Sequence, residues 1–322
     1  MGALLGCFVQ PDTVNPWVRD FLTWTEQVET SPLYLAWVGY ATLSAVIGRR
    51  IYSHLGFTTI YPNLYILLVG PSGGARKGEA MKPAKRLIER TDTILCPESV
   101  IREEFIRLME KDTEQTFTCP VRGSVTHNPL VCVSEELLVF LGLAPQNTKF
   151  IVDLTDLYDC GPSGWRYYTK HQGRNTLKGA YFTLLGGSSP EHLGLALPGE
   201  IVMGGFGSRL ILVVQGRRER IIVDPPEPDA AQEKALLLGL GEIRRRVGPV
   251  DLTPAAKAFY EAWYRAEDAR INEGDWPVPD PLFHAYCERR PLHLRKIAML
   301  NAVGAGRGAI GIGELETALA FL

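Results

Sequence analysis

Apolar residues recur at helical spacing through residues 14–48, at Trp17, Phe21 and Trp24 and again at Leu35, Trp37, Val38, Ala41 and Leu43. The pattern then changes. Arg50-Ile51-Tyr52-Ser53-His54 and Thr58-Thr59-Ile60-Tyr61 flank Gly56 and predict a hairpin. Leu64-Tyr65-Ile66-Leu67-Leu68-Val69 is apolar throughout, as a strand buried on both faces requires. Residues 78–90 place Met81, Ala84, Leu87 and Ile88 at helical spacing among lysines and arginines, and 99–111 read as a second amphipathic helix. Apolar runs at 130–133, 180–185 and 210–214 predict further strands. Strands alternating with helices predict an α/β fold with a parallel sheet.

Asp224-Pro225-Pro226-Glu227-Pro228-Asp229 interrupts this alternation, because its prolines fit neither a helix interior nor a central strand. Beyond it, residues 230–247, 254–272 and 281–303 read as helices, with Asp251-Leu252-Thr253-Pro254 as a start signal. The expected organisation is an N-terminal helical segment over 1–48, a core over 49–223 and a C-terminal helical domain over 224–322. The last helix is apolar at Leu315, Ala318, Leu319 and Leu322 and carries no cap, which suggests a piece of a longer parent protein.

Composition narrows the picture only a little. The chain has 322 residues, 46% hydrophobic and 22% charged, with a formal net charge of -2. That balance argues against a tail that coats nucleic acid and leaves room for a local basic loop. Six scattered cysteines show no zinc-ligand spacing and read as reduced thiols. Met1–Val9 lacks the basic start of a secretory signal, and the apolar stretch 33–47 is too short to span a bilayer. The expectation is a cytoplasmic protein with no membrane partner.

Four places carry candidate chemistry. The first is Gly70-Pro71-Ser72-Gly73-Gly74-Ala75-Arg76-Lys77, between an apolar strand and a helix. Glycines let successive N–H groups turn inward on phosphate oxygens, a lysine reaches the terminal phosphates, and the helix adds its N-terminal dipole. Counted from Gly70, the pattern G-x-x-x-x-G-K-[ST] puts its second glycine on Ala75, and Lys77 comes one residue late. Gly78-Glu79 follow where a Ser or Thr would help hold magnesium. A plain glycine turn between strand and helix is the alternative.

The second is Ser134-Glu135-Glu136 at the end of the strand 130–133. Phosphoryl transfer to water uses one carboxylate near magnesium and another to position the water; a helix-capping start is the competing reading. Third, Gly186-Gly187-Ser188-Ser189-Pro190-Glu191 ends a strand in small polar residues, where a hydroxyl could sense the γ-phosphate or the attacking water; Ser189-Pro190-Glu191 as the N-cap of the next helix is the alternative. Fourth, Gly204-Gly205-Phe206-Gly207-Ser208-Arg209 offers an arginine that can stabilise transition-state charge from a neighbouring subunit, or that simply starts a strand.

In this order the motifs resemble the AAA+ ATPases, a P-loop NTPase class. The nearest likeness is to minichromosome-maintenance-type and phage or plasmid replicative helicases. Tyr61-Pro62-Asn63-Leu64-Tyr65, Ala75-Arg76-Lys77-Gly78, Ser134-Glu135-Glu136-Leu137, Gly187-Ser188-Ser189-Pro190-Glu191-His192-Leu193 and Gly205-Phe206-Gly207-Ser208-Arg209 are similar to helicase-like proteins of prophages and mobile elements. The resemblance covers roughly residues 30–305. It implies ATP and Mg2+ as ligands, with nucleotide held by Gly70 to Glu79 and Lys77 as the P-loop lysine. Glu135 takes the magnesium position, Glu136 that of the catalytic glutamate, and Ser188 or Ser189 the sensor position. Arg209 takes the place of the arginine finger and Arg295, with Lys296 beside it, that of a second sensor in a C-terminal lid. Glu79 departs from the family's Ser or Thr.

The segment Trp165–Lys178 lies where related helicases project a hairpin into the pore. Lys170, His171, Arg174 and Lys178, interleaved with aromatic residues around Gly173, suit a nucleic-acid strand, since cations neutralise phosphates and rings stack on bases; an ordinary hairpin with solvated charges is the alternative. The expected function is an ATP-dependent DNA helicase or translocase, an ATPase working at the subunit interfaces of a hexameric ring during replication of a phage or mobile element. A nucleotide-binding scaffold or helicase loader, and a defence or protein-remodelling ATPase, are the rivals.

Overall fold

The computed structural model describes residues 13–162, 164–169 and 173–322. In chain order the elements are α1 (Pro16–Trp24), α2 (Pro32–Ile47), β1 (Ile51–Leu55), β2 (Thr58–Ile60), β3 (Tyr65–Val69), α3 (Lys77–Ile88) and α4 (Arg102–Lys111). Next come β4 (Gln115–Cys119), β5 (Gly123–Ser134), α5 (Leu137–Leu141), α6 (Thr148–Tyr158), β6 (Trp165–Thr169), β7 (Gly173–Leu177) and β8 (Ala180–Ser188). The chain continues with α7 (Pro190–Ala196), α8 (Gly199–Val202), β9 (Leu210–Val214), α9 (Ala230–Arg245), β10 (Gly248–Pro249), α10 (Pro254–Asn272), α11 (His284–Gly304) and α12 (Ile312–Leu319).

The main sheet has the order β4-β5-β8-β3-β9, and the fold is α/β as the sequence predicts. β5, β8, β3 and β9 run parallel, and β4 is an antiparallel edge. Val69 pairs with Ser188 and with Val214, and Ser134 with Gly186, so the glycine loop, the Glu135-Glu136 pair and Ser188 all leave the sheet at its carboxyl edge. β8 therefore stands between the strand that feeds the glycine loop and the strand that ends in acids. The β1–β2 hairpin and the β6–β7 hairpin form separate small sheets.

Both faces of β3 are covered, which explains its unbroken apolar run. Ile66 and Leu68 face a core built from α1, α2, α3, α9, α11 and α12. Tyr65, Leu67 and Val69 face a second cluster with Phe105, Phe140, Phe150 and Phe182. α2 is buried at every residue from Tyr34 to Ile47, so it has no polar stripe for sequence periodicity to find. The helical region 14–48 is in fact two helices. Asn15 caps the first before Pro16, Ser31 caps the second before Pro32, and the Ser-Pro restart is a helix-start signal that spacing alone passes over.

The three expected segments share the first core. Asn301 of α11 accepts from Tyr40 Oη of α2 at 2.6 Å and from Asn15 Nδ2 at 3.3 Å. Among the described residues, no helix is long and apolar enough to cross a membrane.

Candidate functional site at the carboxyl edge of the sheet

The glycine loop turns on two left-handed residues, Gly73 (φ 72°) and Arg76 (φ 55°). The second differs from the count made from Gly70. Positive φ, which favours glycine, falls on Arg76, directly before Lys77, while Ala75 is fully buried. The lysine and the left-handed residue are thus displaced together by one position and keep their mutual spacing. A non-glycine residue held in this region costs of order 1 kcal/mol and persists only where its surroundings impose it. Here Glu29 braces the Arg76 side chain at 3.4 Å.

The loop is anchored from both sides. Gly70 N–H donates to Ser188 O at 3.2 Å, and Arg218 N–H donates to Gly74 O at 2.9 Å. Tyr34 Oη donates to Val69 O at 2.6 Å and Thr30 Oγ1 to Ala75 O at 3.3 Å. At Gly70 an added Cβ would strike the Gln215 carbonyl, Ala75 and the Tyr34 hydroxyl, so only glycine fits.

Lys77 opens α3 and is 8% exposed. Its Nζ folds back on the loop, donating to Gly70 O at 2.6 Å and Pro71 O at 3.3 Å. Burial lowers its pKa, and the nearby Glu136 and Glu191 carboxylates oppose the shift. A cation buried without a carboxylate in ion-pair contact among the described residues, beside a helix N-terminus, makes a site for an anion.

Across the sheet edge, Glu136 is held by two donors. Ser188 Oγ, fully buried, lies 3.2 Å from Glu136 Oε1, and His192 Nδ1 lies 3.1 Å from Oε2. His192 is positioned by α7, whose N-cap Ser189 accepts from the His192 N–H. Glu135 lies against α3: an added Cβ on Gly78 would sit 2.6 Å from Glu135 Oε2, and Lys85 Nζ lies 3.7 Å from Oε1. Glu79 faces away, paired with Lys82 at 2.6 Å on the exposed side of α3. Beside that turn opens a cleft of about 700 Å³, lined by Val28, Glu29, Glu79, Ile222, Val223 and Pro226 among others.

Gly70, Gly74 and Ala75 spend their N–H groups on backbone carbonyls, so an anionic ligand would be met by Lys77 and the N-terminus of α3. For a divalent cation the edge offers the Glu135 and Glu136 carboxylates and, among the described residues, no cluster of three ligating side chains; magnesium, which keeps several waters and takes other ligands from phosphate oxygens, fits one or two carboxylates. Gly78 supplies no hydroxyl.

No family model and no curated protein matches the chain.

The remaining expected residues lie elsewhere. Arg209 precedes β9, and Leu210 pairs with Tyr65 at the start of β3, so Arg209 sits at the amino edge of the sheet. One five-residue strand, about 17 Å, separates it from the glycine loop of its own subunit. It is 9% exposed, donates to Gly205 O at 2.5 Å and pairs with Asp159, which also takes Arg289 Nη2 at 2.9 Å.

Arg295 is not brought to the glycine loop. It is buried against the β1–β2 hairpin, donating to Ser53 Oγ at 2.9 Å and His54 O at 3.0 Å. Lys296 donates to Asn63 O and Oδ1 at 3.0 and 2.6 Å over the Tyr158 ring. Both are therefore engaged in joining α11 to the core, a use of buried cations that sequence position does not reveal.

The strands of the β6–β7 hairpin pair as expected. Lys170 and His171 lie outside the described residues, and of Arg174 only the backbone, in β7, is described. Lys178 is exposed and bonds Glu114 at 3.1 Å. Sequence reasoning does not single out His192, Tyr34 or Glu29. His192 sits three residues after the Ser189 cap, a spacing that points a first-turn side chain at the sheet edge. For Tyr34 and Glu29 there is no local signal.

Proposed function

We propose that the chain is an ATP-hydrolysing subunit of the AAA+ helicase-like type of P-loop NTPase, acting on DNA in a ring. One observation carries the reading: a single sheet edge gathers a glycine-rich loop with its buried lysine, and a carboxylate held by a serine and a histidine. The arginine expected to serve as the finger stands a strand-length away.

In this reading Lys77 exchanges the Gly70 and Pro71 carbonyls for terminal phosphate oxygens, and the N-terminus of α3 holds the phosphates in line. Glu135 would hold magnesium, which supplies charge neutralisation when bound. Glu136, oriented by Ser188 and His192, aligns a water and takes its proton as the water oxygen bonds phosphorus and the bond to ADP breaks. The cleft beside Val28 and Pro226 is wide enough for a nucleoside. Arg209 cannot reach its own subunit's phosphates from the amino edge, so a catalytic role for it requires a neighbouring subunit, and hence a ring of the hexameric kind that the resemblance implies.

The test is steady-state ATP turnover by the wild type with and without single-stranded DNA, beside Lys77→Ala. Turnover that depends on Lys77 supports the proposal, and absence of turnover in the assembled wild type removes it. Gly78, which lacks the magnesium-binding hydroxyl, favours a second reading as a nucleotide-binding scaffold. That reading predicts nucleotide binding without turnover in the same assay.

A further inference from the structure

At the amino edge of the sheet, three arginines lie over three rings of one small aromatic cluster. The guanidinium carbon of Arg49 is 4.2 Å from the Tyr61 ring centre, that of Arg50 is 4.8 Å from Phe117 and that of Arg122 is 3.5 Å from Tyr52. The rings themselves belong to one packed group. None of the three arginines is paired with a carboxylate among the described residues. Arg49 donates to Cys160 O at 2.9 Å and Arg122 to Tyr61 Oη at 2.9 Å, so both use neutral acceptors.

Arg50 is the most poorly matched. Its Nη1 lies 3.3 Å from His127 Nε2. His127 is buried, and desolvation together with Arg50 and Arg49 pushes its pKa down to about 3, so the ring is neutral. Its Nδ1 accepts from the Arg49 N–H at 3.2 Å, which places the ring's one proton on Nε2. Two donors therefore face each other with no acceptor between them, the arrangement that an added anionic oxygen relieves. Arg244 adds a further positive charge beside Arg50, offset by exposed Asp92.

The location matters. Arg49 bonds the chain just before the β6–β7 hairpin at Cys160, and its Nη1 would lie 3.2 Å from a Cβ on Gly179, just after that hairpin. The arginine cluster thus forms the base from which the hairpin projects. From there it runs past Phe117 to exposed Arg122.

We infer that the Arg50–Arg122 face is a binding surface for the phosphodiester backbone of a nucleic-acid strand, continuous with the base of the β6–β7 hairpin. Arg122 donates to the neutral Tyr61 Oη and Thr59 Oγ1, so its positive charge, like that of Arg50, is left for a phosphate to neutralise. The inference rests on the nucleic-acid half of the proposed function and not on ATP hydrolysis.

The experiment is fluorescence anisotropy with a labelled oligothymidylate across a salt titration, for wild type, Arg50→Gln/Arg122→Gln and Arg50→Lys/Arg122→Lys. Thermal unfolding of each protein confirms the fold. Each phosphate that is no longer neutralised lowers the slope of log affinity against log salt by about 0.7. The glutamine pair should lower it by about 1.4 and weaken binding on the order of tenfold at ~0.1 M salt. The lysine pair, which keeps the charge, should retain most of the wild-type slope. Wild-type affinity and slope in the glutamine pair would overturn the inference, as would an equal loss in the lysine pair. A wild type that binds no oligonucleotide overturns it together with the DNA half of the functional proposal, and ATP turnover by the same wild-type preparation reads the hydrolysis half separately.

Discussion

Lys77 Nζ donates to the carbonyl oxygen of Gly70 at 2.6 Å, across the loop that the two residues bound. The amine is thus held on backbone acceptors at the place where a phosphate oxygen is proposed to replace them. Substituting Lys77→Ala removes the buried cation of the turn, since Arg76 turns outward to Glu29. We expect ATP turnover to fall at least about a hundredfold, the scale seen when a preorganised charge-stabilising donor is deleted. Turnover assays on the folded variant check this, and a loss under threefold contradicts it.

Glu136 is gripped at both carboxylate oxygens, by Ser188 at 3.2 Å and His192 at 3.1 Å. Glu136→Gln should lower kcat by about 10² to 10⁴-fold, as expected for a general base, while nucleotide binding survives. His192→Ala acts through Glu136 and should lower kcat with KM little changed. A rise in KM alone would mean that His192 serves substrate binding instead.

Two glycines border Glu135 in opposite ways. A Cβ on Gly187 would lie 2.6 Å from the Glu135 backbone oxygen and 2.9 Å from Met81 Cε, so Gly187→Ala should destabilise by about 1–3 kcal/mol. The atoms nearest a Cβ on Gly78 belong to the flexible Glu135 side chain, with the carboxylate oxygen the closest. Gly78→Ala should therefore displace that carboxylate and reduce turnover, with stability kept or raised by about 0.5–1 kcal/mol of helix propensity. Chemical denaturation paired with turnover assays separates the two; equal loss of stability in both variants contradicts the assignment.

His127 and His293 are buried, and burial is the first cause that pushes each pKa down to about 3. His293 donates from Nε2 to Ser208 O at 2.9 Å and faces Tyr158 Oη at 3.2 Å through Nδ1, as a neutral ring does. In the unfolded chain both titrate near 6.5, so below that pH the unfolded state binds more protons than the folded one. Stability should be fully present above about pH 6.5 and fall as pH drops toward 3, by up to about 1.4 kcal/mol per pH unit for each histidine. His293→Gln should flatten that slope in pH-dependent denaturant melts. An unchanged slope would mean that the ring is charged in the folded state.

Much of the sheet is legible in the sequence because its strands are short, apolar and separated by strong breakers. Val69, Val133, Leu185 and Val214 all fall in predicted runs. β4 escapes pattern reading, since Gln115 to Cys119 is an edge strand in which only Cys119 is buried and it carries little apolar signal. Within the site, Lys77, Glu136 and Ser188 share an edge because their strands are parallel and in register, and pattern reading can anticipate that. Arg295 cannot be placed in the same way, because its distance from the loop is set by the packing of α11 on the β1–β2 hairpin. Tyr34 reaches the loop from α2 and Glu29 from the connection between α1 and α2, a long-range approach with no local trace.

The central claim is that the site is shared: Lys77 acts within one subunit and Arg209, fixed at the opposite sheet edge, acts on the next. The direct test mixes Lys77→Ala with Arg209→Ala, each expected to be inactive alone, under conditions where the protein assembles, and measures ATP turnover against mixing ratio. Sharing predicts that the mixture recovers activity, because some interfaces then pair an intact Lys77 with an intact Arg209. A mixture as inactive as its components, or full activity in Arg209→Ala alone, would contradict it.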